Sequence, residues 1–175
     1  ARLAAGLGKA AAVVVLGQGV DVNGSALIAG LADGLEPGVS ISGGLAGDGG
    51  AFRKTWVLAE GLASSHLVAA IGFEPGGTAV RCGSAGGWKP FGPARRATRA
   101  SGNVLHEVDG EPALQFYRRF LGDYAKDLPA SGLLFPLALL QDDRSDTGVT
   151  RTLLGIDDAS GSITLAGNVA EGAYL

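Results

Sequence analysis

Three consecutive segments constrain how this chain begins to fold. Ala10–Leu16 is an unbroken apolar run with three valines, the make-up of a strand buried on both faces. Asp21-Val22-Asn23-Gly24-Ser25 supplies a turn and a helix cap, from Ser25 or Asn23. Ala26–Leu35 then carries Leu27, Ile28, Leu31 and Leu35 at the spacing of one helix face. Gly34 and Pro37-Gly38 stop that helix, and Val39–Ser42 is strand-like again. Strand, helix and strand within about thirty residues make a βαβ unit, whose two strands must run parallel.

At the carboxyl end of the second strand comes Gly43-Gly44-Leu45-Ala46-Gly47-Asp48-Gly49-Gly50, where five of eight residues are glycine. Such a backbone can adopt positive φ and approach a neighbour closely. With one fixed carboxylate, and at a strand end, it is a place where an open α/β sheet holds a ligand. Gly44, Gly47, Asp48 and Gly49 are therefore candidate ligand contacts; the competing reading is a turn that serves only the fold. Neither common phosphate fingerprint fits. A P-loop needs Lys-Ser/Thr after its last glycine, and here Ala51-Phe52-Arg53 follows. The dinucleotide motif needs a helix directly after the glycines, whereas Thr55–Glu60 looks extended.

Beyond Gly50 the rhythm changes. Thr55–Glu60, His66–Phe73, Ala79–Ser84, Ala94–Ala100 and Val104–Asp109 are short runs separated by Gly, Pro, Asn or Ser, which predicts antiparallel hairpins. Pro112–Gly122 reads as a helix, with Leu114, Phe116, Tyr117, Phe120 and Leu121 facing the core and Gly122 as its stop. Leu133–Leu140, Thr150–Asp157 and Ser162–Ala166 read as three more strands, the last two joined by Asp158-Ala159-Ser160-Gly161. Gln141–Gly148 is polar and acidic and reads as a loop. Ala1–Lys9, Ala- and Leu-rich, reads as the last turns of a helix ending at Gly8. The fold class is α+β: a βαβ start followed by a mostly antiparallel multi-stranded sheet with two or three helices. Residues 1–175 form one domain in this reading, and the absence of Met suggests a piece of a longer polypeptide, cut at both ends.

Composition narrows the function classes. Apolar content of 46% and a mean hydropathy of +0.25 fit a globular core and argue against disorder. No apolar run approaches the roughly 20 residues of a membrane helix, and no secretory signal is visible. A net charge of −3 gives no general pull toward nucleic acid or anionic lipid. The single Cys82 cannot form an internal disulfide and suits a reducing, cytoplasmic setting.

A second candidate site lies between Arg81 and Arg99, where Arg81, Lys89, Arg95, Arg96 and Arg99 occur without an acid, alongside Trp88 and Phe91. Arg95 or Arg99 could hold a carboxylate while Trp88 covers an apolar part; a solvated strand face with Trp88 in the core is the plainer alternative. Catalysis finds no support. His66, His106 and Cys82 permit a Cys–His pair, but Cys82 sits where small buried cysteines are common. Cys82-Gly83-Ser84-Ala85-Gly86 lacks the first glycine of a nucleophile elbow. Asp21-Val22-Asn23-Gly24-Ser25 lacks the glutamate and the glycine placement of a calcium loop. Asp142, Asp143 and Asp146 read as a solvated loop, and the two histidines lack the neighbours a zinc site needs. No cofactor, metal or enzymatic activity is expected.

The ordered blocks along the chain resemble one family. They begin with Gly43-Gly44-Leu45-Ala46-Gly47-Asp48, Phe52-Arg53 and Thr55-Trp56-Val57, then Gly87-Trp88-Lys89-Pro90-Phe91-Gly92-Pro93 and Thr98-Arg99-Ala100-Ser101-Gly102-Asn103-Val104-Leu105. Glu107-Val108-Asp109-Gly110, Pro112-Ala113-Leu114, Tyr117, Leu121-Gly122 and Leu128-Pro129 follow, then Leu134-Phe135-Pro136-Leu137, Gly167-Asn168-Val169 and Glu171-Gly172. The set resembles the FIST domain, a sensory module of intracellular signal-transduction proteins, over nearly the whole chain. The resemblance implies an input role beside histidine kinases, chemotaxis receptors or other signalling outputs, with amino acids and similar small molecules as ligands. Part of the family's first half and its companion C-terminal segment are expected to be missing. The implied mechanism places a polar ligand group on the Gly44–Gly49 amides, an ammonium on Asp48, a carboxylate on Arg95 or Arg99, and Trp88 over the apolar side. Nucleic acid and membrane are not expected partners.

Overall fold

The valine-rich N-terminal run becomes the central strand of a small mixed sheet. The computed structural model describes residues 2–77 and 79–175, which group into two units, Ala1–Ala85 and Gly86–Leu175. Its class is α+β, with mostly antiparallel strands.

In the first unit a short helix α1 (Arg2–Ala5) precedes β1 (Ala12–Gly17), helix α2 (Gly24–Ala32) and β2 (Ser40–Leu45). The expected helix Ala1–Lys9 is thus one short turn, and its residue Ala1 lies outside the described residues. β-Branched side chains favour the extended backbone, and Val13 and Val15 are buried on the face of β1 they share with Gly17. β1 and β2 run parallel, with Val15 opposite Gly43. This is the expected βαβ start. Asn23, one of the two candidate caps, accepts the Ala26 N–H at 3.1 Å. A hairpin of β3 (Val57–Ala59) and β4 (Leu62–Ser64) follows, and then β5 (Val68–Phe73) pairs antiparallel with the other side of β1. The sheet order is β2-β1-β5.

Two findings revise the reading of the glycine-rich segment. Gly43, Gly44 and Leu45 belong to β2, so the turn itself begins at Ala46. Close approach is required at Gly43, where a Cβ would collide with the Val15 carbonyl oxygen, and at Gly19, where it would collide with that of Ala46. Gly44, Gly47 and Gly49 have open space where a Cβ would sit.

The expected strand Ala79–Ser84 does not form: no strand or helix lies between residues 79 and 95. The second unit begins within that irregular stretch and contains β6 (Ala97–Ser101), β7 (Val104–Val108), β8 (Glu111–Pro112) and helix α3 (Ala113–Leu121). Proline lacks an N–H, which suits a helix start, and Pro112 is the cap of α3; Gly122, at φ 55°, ends it. Two 3-10 turns over Gly122–Asp127 and Ala130–Leu134 lead to β9 (Leu137–Leu140), β10 (Asp146–Arg151), β11 (Leu153–Asp157) and β12 (Ser162–Leu165). The acidic segment expected to be a loop therefore gives its last residues to β10, which pairs antiparallel with β9.

β11, β12, β7 and β6 lie in that order in one antiparallel sheet, with β8 on β7. The apolar face of α3 covers it, burying Leu114, Phe116, Tyr117 and Leu121 with Leu105, Leu153, Ile163 and Leu165. Phe120, expected in this core, is 46% exposed. The turn into β12 is fixed by the Asp157 carboxylate, which accepts the Ala159 N–H at 2.9 Å and the Ser160 hydroxyl at 2.7 Å.

Candidate functional site

In the first unit the turn after β2 is organised around Asp48. Its carboxylate accepts the backbone N–H groups of Phe52 at 3.1 Å, Arg53 at 2.7 Å and Lys54 at 3.3 Å. The Arg53 bond, reinforced by the other amides, holds its carboxyl below the ordinary carboxylate range. The same turn is stitched to the end of β1: Ala46 N–H donates to the Gly17 carbonyl at 2.8 Å, and Gly19 N–H donates to the buried Thr55 hydroxyl at 2.8 Å. Phe52 takes a left-handed φ of 49°, a conformation the three amide bonds hold in place. Gly44, Gly47 and Gly49 precede or adjoin this clamp, and a Cβ at any of them would meet no described atom within 4 Å.

In the second unit a groove of about 280 Å³ opens between four segments. This is just under the lower end of the roughly 300–1,000 Å³ of small-molecule sites. One wall is the irregular segment from Trp88 to Arg95, and a second is the outer edge of α3 with Phe116 and Phe120. Phe135 and the start of β9 form a third, and Asp146, Thr150 and Leu175 complete the lining. The Phe116 and Phe120 rings lie 4.7 Å apart.

Polar groups in the groove walls are mostly committed. The Trp88 indole N–H donates to the Leu134 carbonyl at 3.0 Å, although the side chain is half exposed. This fixes the ring while leaving apolar surface uncovered. The Tyr117 hydroxyl donates to the Phe135 carbonyl at 2.7 Å, and burial pushes its pKa up to about 12. Arg95 differs. Its Nη1 donates to Asp109 at 3.3 Å, but its Nε is shielded from solvent and meets no acceptor among the described residues. A shielded donor left unpaired costs about 1–3 kcal/mol. Arg96, Arg99 and Arg151 each place Nε on an acceptor, Gly172, Glu107 and Asn168 respectively.

Of the residues singled out from sequence between Arg81 and Arg99, Trp88, Lys89, Phe91 and Arg95 line this one groove. Arg99 lies in β6 and pairs with Glu107 at 2.9 Å, outside the groove lining. Gly44, Gly47, Asp48 and Gly49 belong to the first unit. Phe120, Phe135 and Asp146 were not read as site residues. Phe120 sits at the margin of an apolar helix face, where a ring can serve a groove as well as a core. Asp146 reaches the lining because β10 (Asp146–Arg151) begins inside the acidic segment, ahead of the β-favouring Val149-Thr150 pair that follows it.

Among the described residues no group of three or more His, Cys, Asp and Glu could hold a metal ion. Cys82 is a free, exposed thiol. No helix among the described residues is long and apolar enough to cross a membrane.

Comparison with known proteins bears on both halves. The FIST N domain matches residues 1–111, and the FIST C domain matches residues 113–175. The expectation that the companion C-terminal segment is missing gives way to the second match. An uncharacterized protein of Methanocaldococcus jannaschii is 32% identical over 93 residues, covering 53% of this chain and 18% of that protein. The chain thus matches less than a fifth of that relative's length. No solved structure matches.

Proposed function

The chain belongs to the FIST family, whose domains are sensory domains of signal-transduction proteins, and on that footing we propose that it is a small-molecule-sensing input module acting in the cytoplasm. The observation that carries the reading is the groove of the second unit, where Trp88, with its apolar surface half exposed, and the cation Arg95 line one cavity. Sites for small molecules combine such apolar walls with a few placed polar groups. The ligand is amino-acid-like: Arg95 suits a carboxylate, and Asp146, on the same lining, offers an acceptor for an ammonium. Asp48 and its neighbouring glycines keep their candidacy as a second contact region, with the Asp48 carboxylate already serving three amides. Occupancy shifts a population between two states, and that differential affinity is passed to an output such as a histidine kinase or chemotaxis receptor. The exposed thiol of Cys82 fits a reducing compartment.

Calorimetric titration of the chain with the twenty common amino acids is the direct test. Binding that weakens in Trp88→Ala supports the reading; absence of heat from every amino acid sinks it. A second reading, an interaction module without a small-molecule ligand, is favoured by one observation. Trp56, Leu58 and Leu62, around the β3–β4 hairpin, are 54%, 71% and 62% exposed, and clustered exposed apolar side chains mark protein contacts.

A further inference from the structure

We propose that the groove of the second unit recognises an aromatic carboxylate, by its ring and its carboxylate, with the ammonium group contributing little. The inference rests on the sensing role proposed for this groove and narrows it to a chemical class.

Arg95 carries five N–H donors, and among the described residues one donor–acceptor contact engages them, from Nη1 to Asp109. That contact fixes the guanidinium from one end. What remains is its side edge, Nε with Nη2, whose two parallel N–H bonds match the two oxygens of a carboxylate. The Nε is out of contact with solvent and without an acceptor among the described residues, while the side chain as a whole is 39% exposed, so the guanidinium is partly desolvated before any ligand arrives. An incoming carboxylate meets the exposed part of a half-buried cation, and its interaction is screened less than at an open surface.

The acidic side of the lining is different in kind. Asp146 is exposed, and its Oδ1 already accepts the Gly148 N–H at 2.9 Å. An ammonium meeting it does so in water, where ion pairs contribute little. The rest of the groove favours a flat apolar body. Trp88, Phe91, Phe120 and Phe135 all line it, and Phe91 is 96% exposed with no ring partner among the described residues. Such rings gain from offset or edge-on contact with another aromatic ring beyond area burial alone.

The test is calorimetry on the whole chain with L-phenylalanine, 3-phenylpropionate, 2-phenylethylamine, L-alanine and L-aspartate. We expect 3-phenylpropionate to bind about as tightly as L-phenylalanine. 2-Phenylethylamine and L-alanine should each bind at least about tenfold more weakly. Arg95→Gln should weaken 3-phenylpropionate by at least about tenfold; Arg95→Lys, which keeps the charge but not the fork, should weaken it too. Equal binding of 2-phenylethylamine and 3-phenylpropionate overturns the proposal. Binding of L-aspartate or L-alanine with the aromatic compounds silent also overturns it, and leaves the sensing role intact. Silence from all five, and from the remaining amino acids, overturns both.

Discussion

The hydroxyl of Tyr117, on the buried face of α3, donates to the Phe135 carbonyl at 2.7 Å. It ties the helix to the segment just before β9 and fixes one wall of the groove against another. Removing the hydroxyl leaves the carbonyl to find another donor, so Tyr117→Phe should cost about 1 kcal/mol in urea unfolding. Burial raises the folded-state pKa from 10.0 to about 12. The unfolded chain therefore releases this proton first. Its contribution is fully present below pH 10 and is lost as the pH climbs from there through about 12. Tyr117→Phe should flatten that part of the stability–pH curve. An unchanged alkaline slope would detach the burial of this hydroxyl from the alkaline loss of stability.

Asp48 makes a local prediction. Three backbone amides converge on its carboxylate, and they hold its pKa below the usual carboxylate value. Asp48→Ala should abolish slow hydrogen exchange at Phe52, Arg53 and Lys54 while leaving β1 protected. In the unaltered chain, the clamp's contribution is present above the unfolded carboxylate value of 3.8 and is lost as pH falls through the lower folded value. Exchange of those three amides should therefore keep pace with β1 until the solution is strongly acidic. Retained protection in Asp48→Ala would show that other contacts hold the turn.

How far the sequence discloses this arrangement depends on whether a signal is local. β1 and α3 are legible because their determinants lie within them: three valines in one case, Pro112, an apolar stripe and Gly122 in the other. β10 is not, because Asp146-Thr147-Gly148 has the chemistry of a solvated turn and becomes a strand only through pairing with Leu137–Leu140. The run at residues 79–84 shows the converse. Its composition permits a strand, but no neighbour among the described residues pairs with it. For the groove, Trp88 and Arg95 were legible as an aromatic among cations. Their complement, Phe120, Phe135 and Asp146, comes from segments distant in sequence, and nothing local marks those residues as neighbours.

The two kinds of glycine after β1 separate by what a methyl group would meet. At Gly43 it meets the Val15 carbonyl, a backbone atom held by the parallel pairing, which cannot move aside cheaply. At Gly47 it meets nothing within 4 Å, and no left-handed φ is found there. Gly43→Ala should cost about 2 kcal/mol or more in chemical denaturation, and Gly47→Ala should be neutral to within about 0.5 kcal/mol. Equal effects would mean the close approach of β2 to β1 is not what requires glycine.

The boundary between the two family matches, after residue 111, does not coincide with the boundary in packing. β6 and β7 lie in the FIST N match, β11 and β12 in the FIST C match, yet all four make one sheet. Leu105 of β7 stands opposite Ile163 of β12, and both are essentially inaccessible to solvent. Leu165 N–H donates to the Asn103 carbonyl at 2.8 Å, and the Asn103 side chain donates to the Leu165 carbonyl at 2.8 Å. Cutting at residue 112 would strip β12 of this partner strand and open the core beneath α3. A polypeptide of residues 86–175 keeps every member of that core cluster and should unfold cooperatively with a sharp thermal transition. Residues 113–175 alone should show no such transition, because an exposed sheet edge and an uncovered apolar face replace the missing strands. A cooperative melt from the shorter piece would place the folding boundary at the family boundary instead.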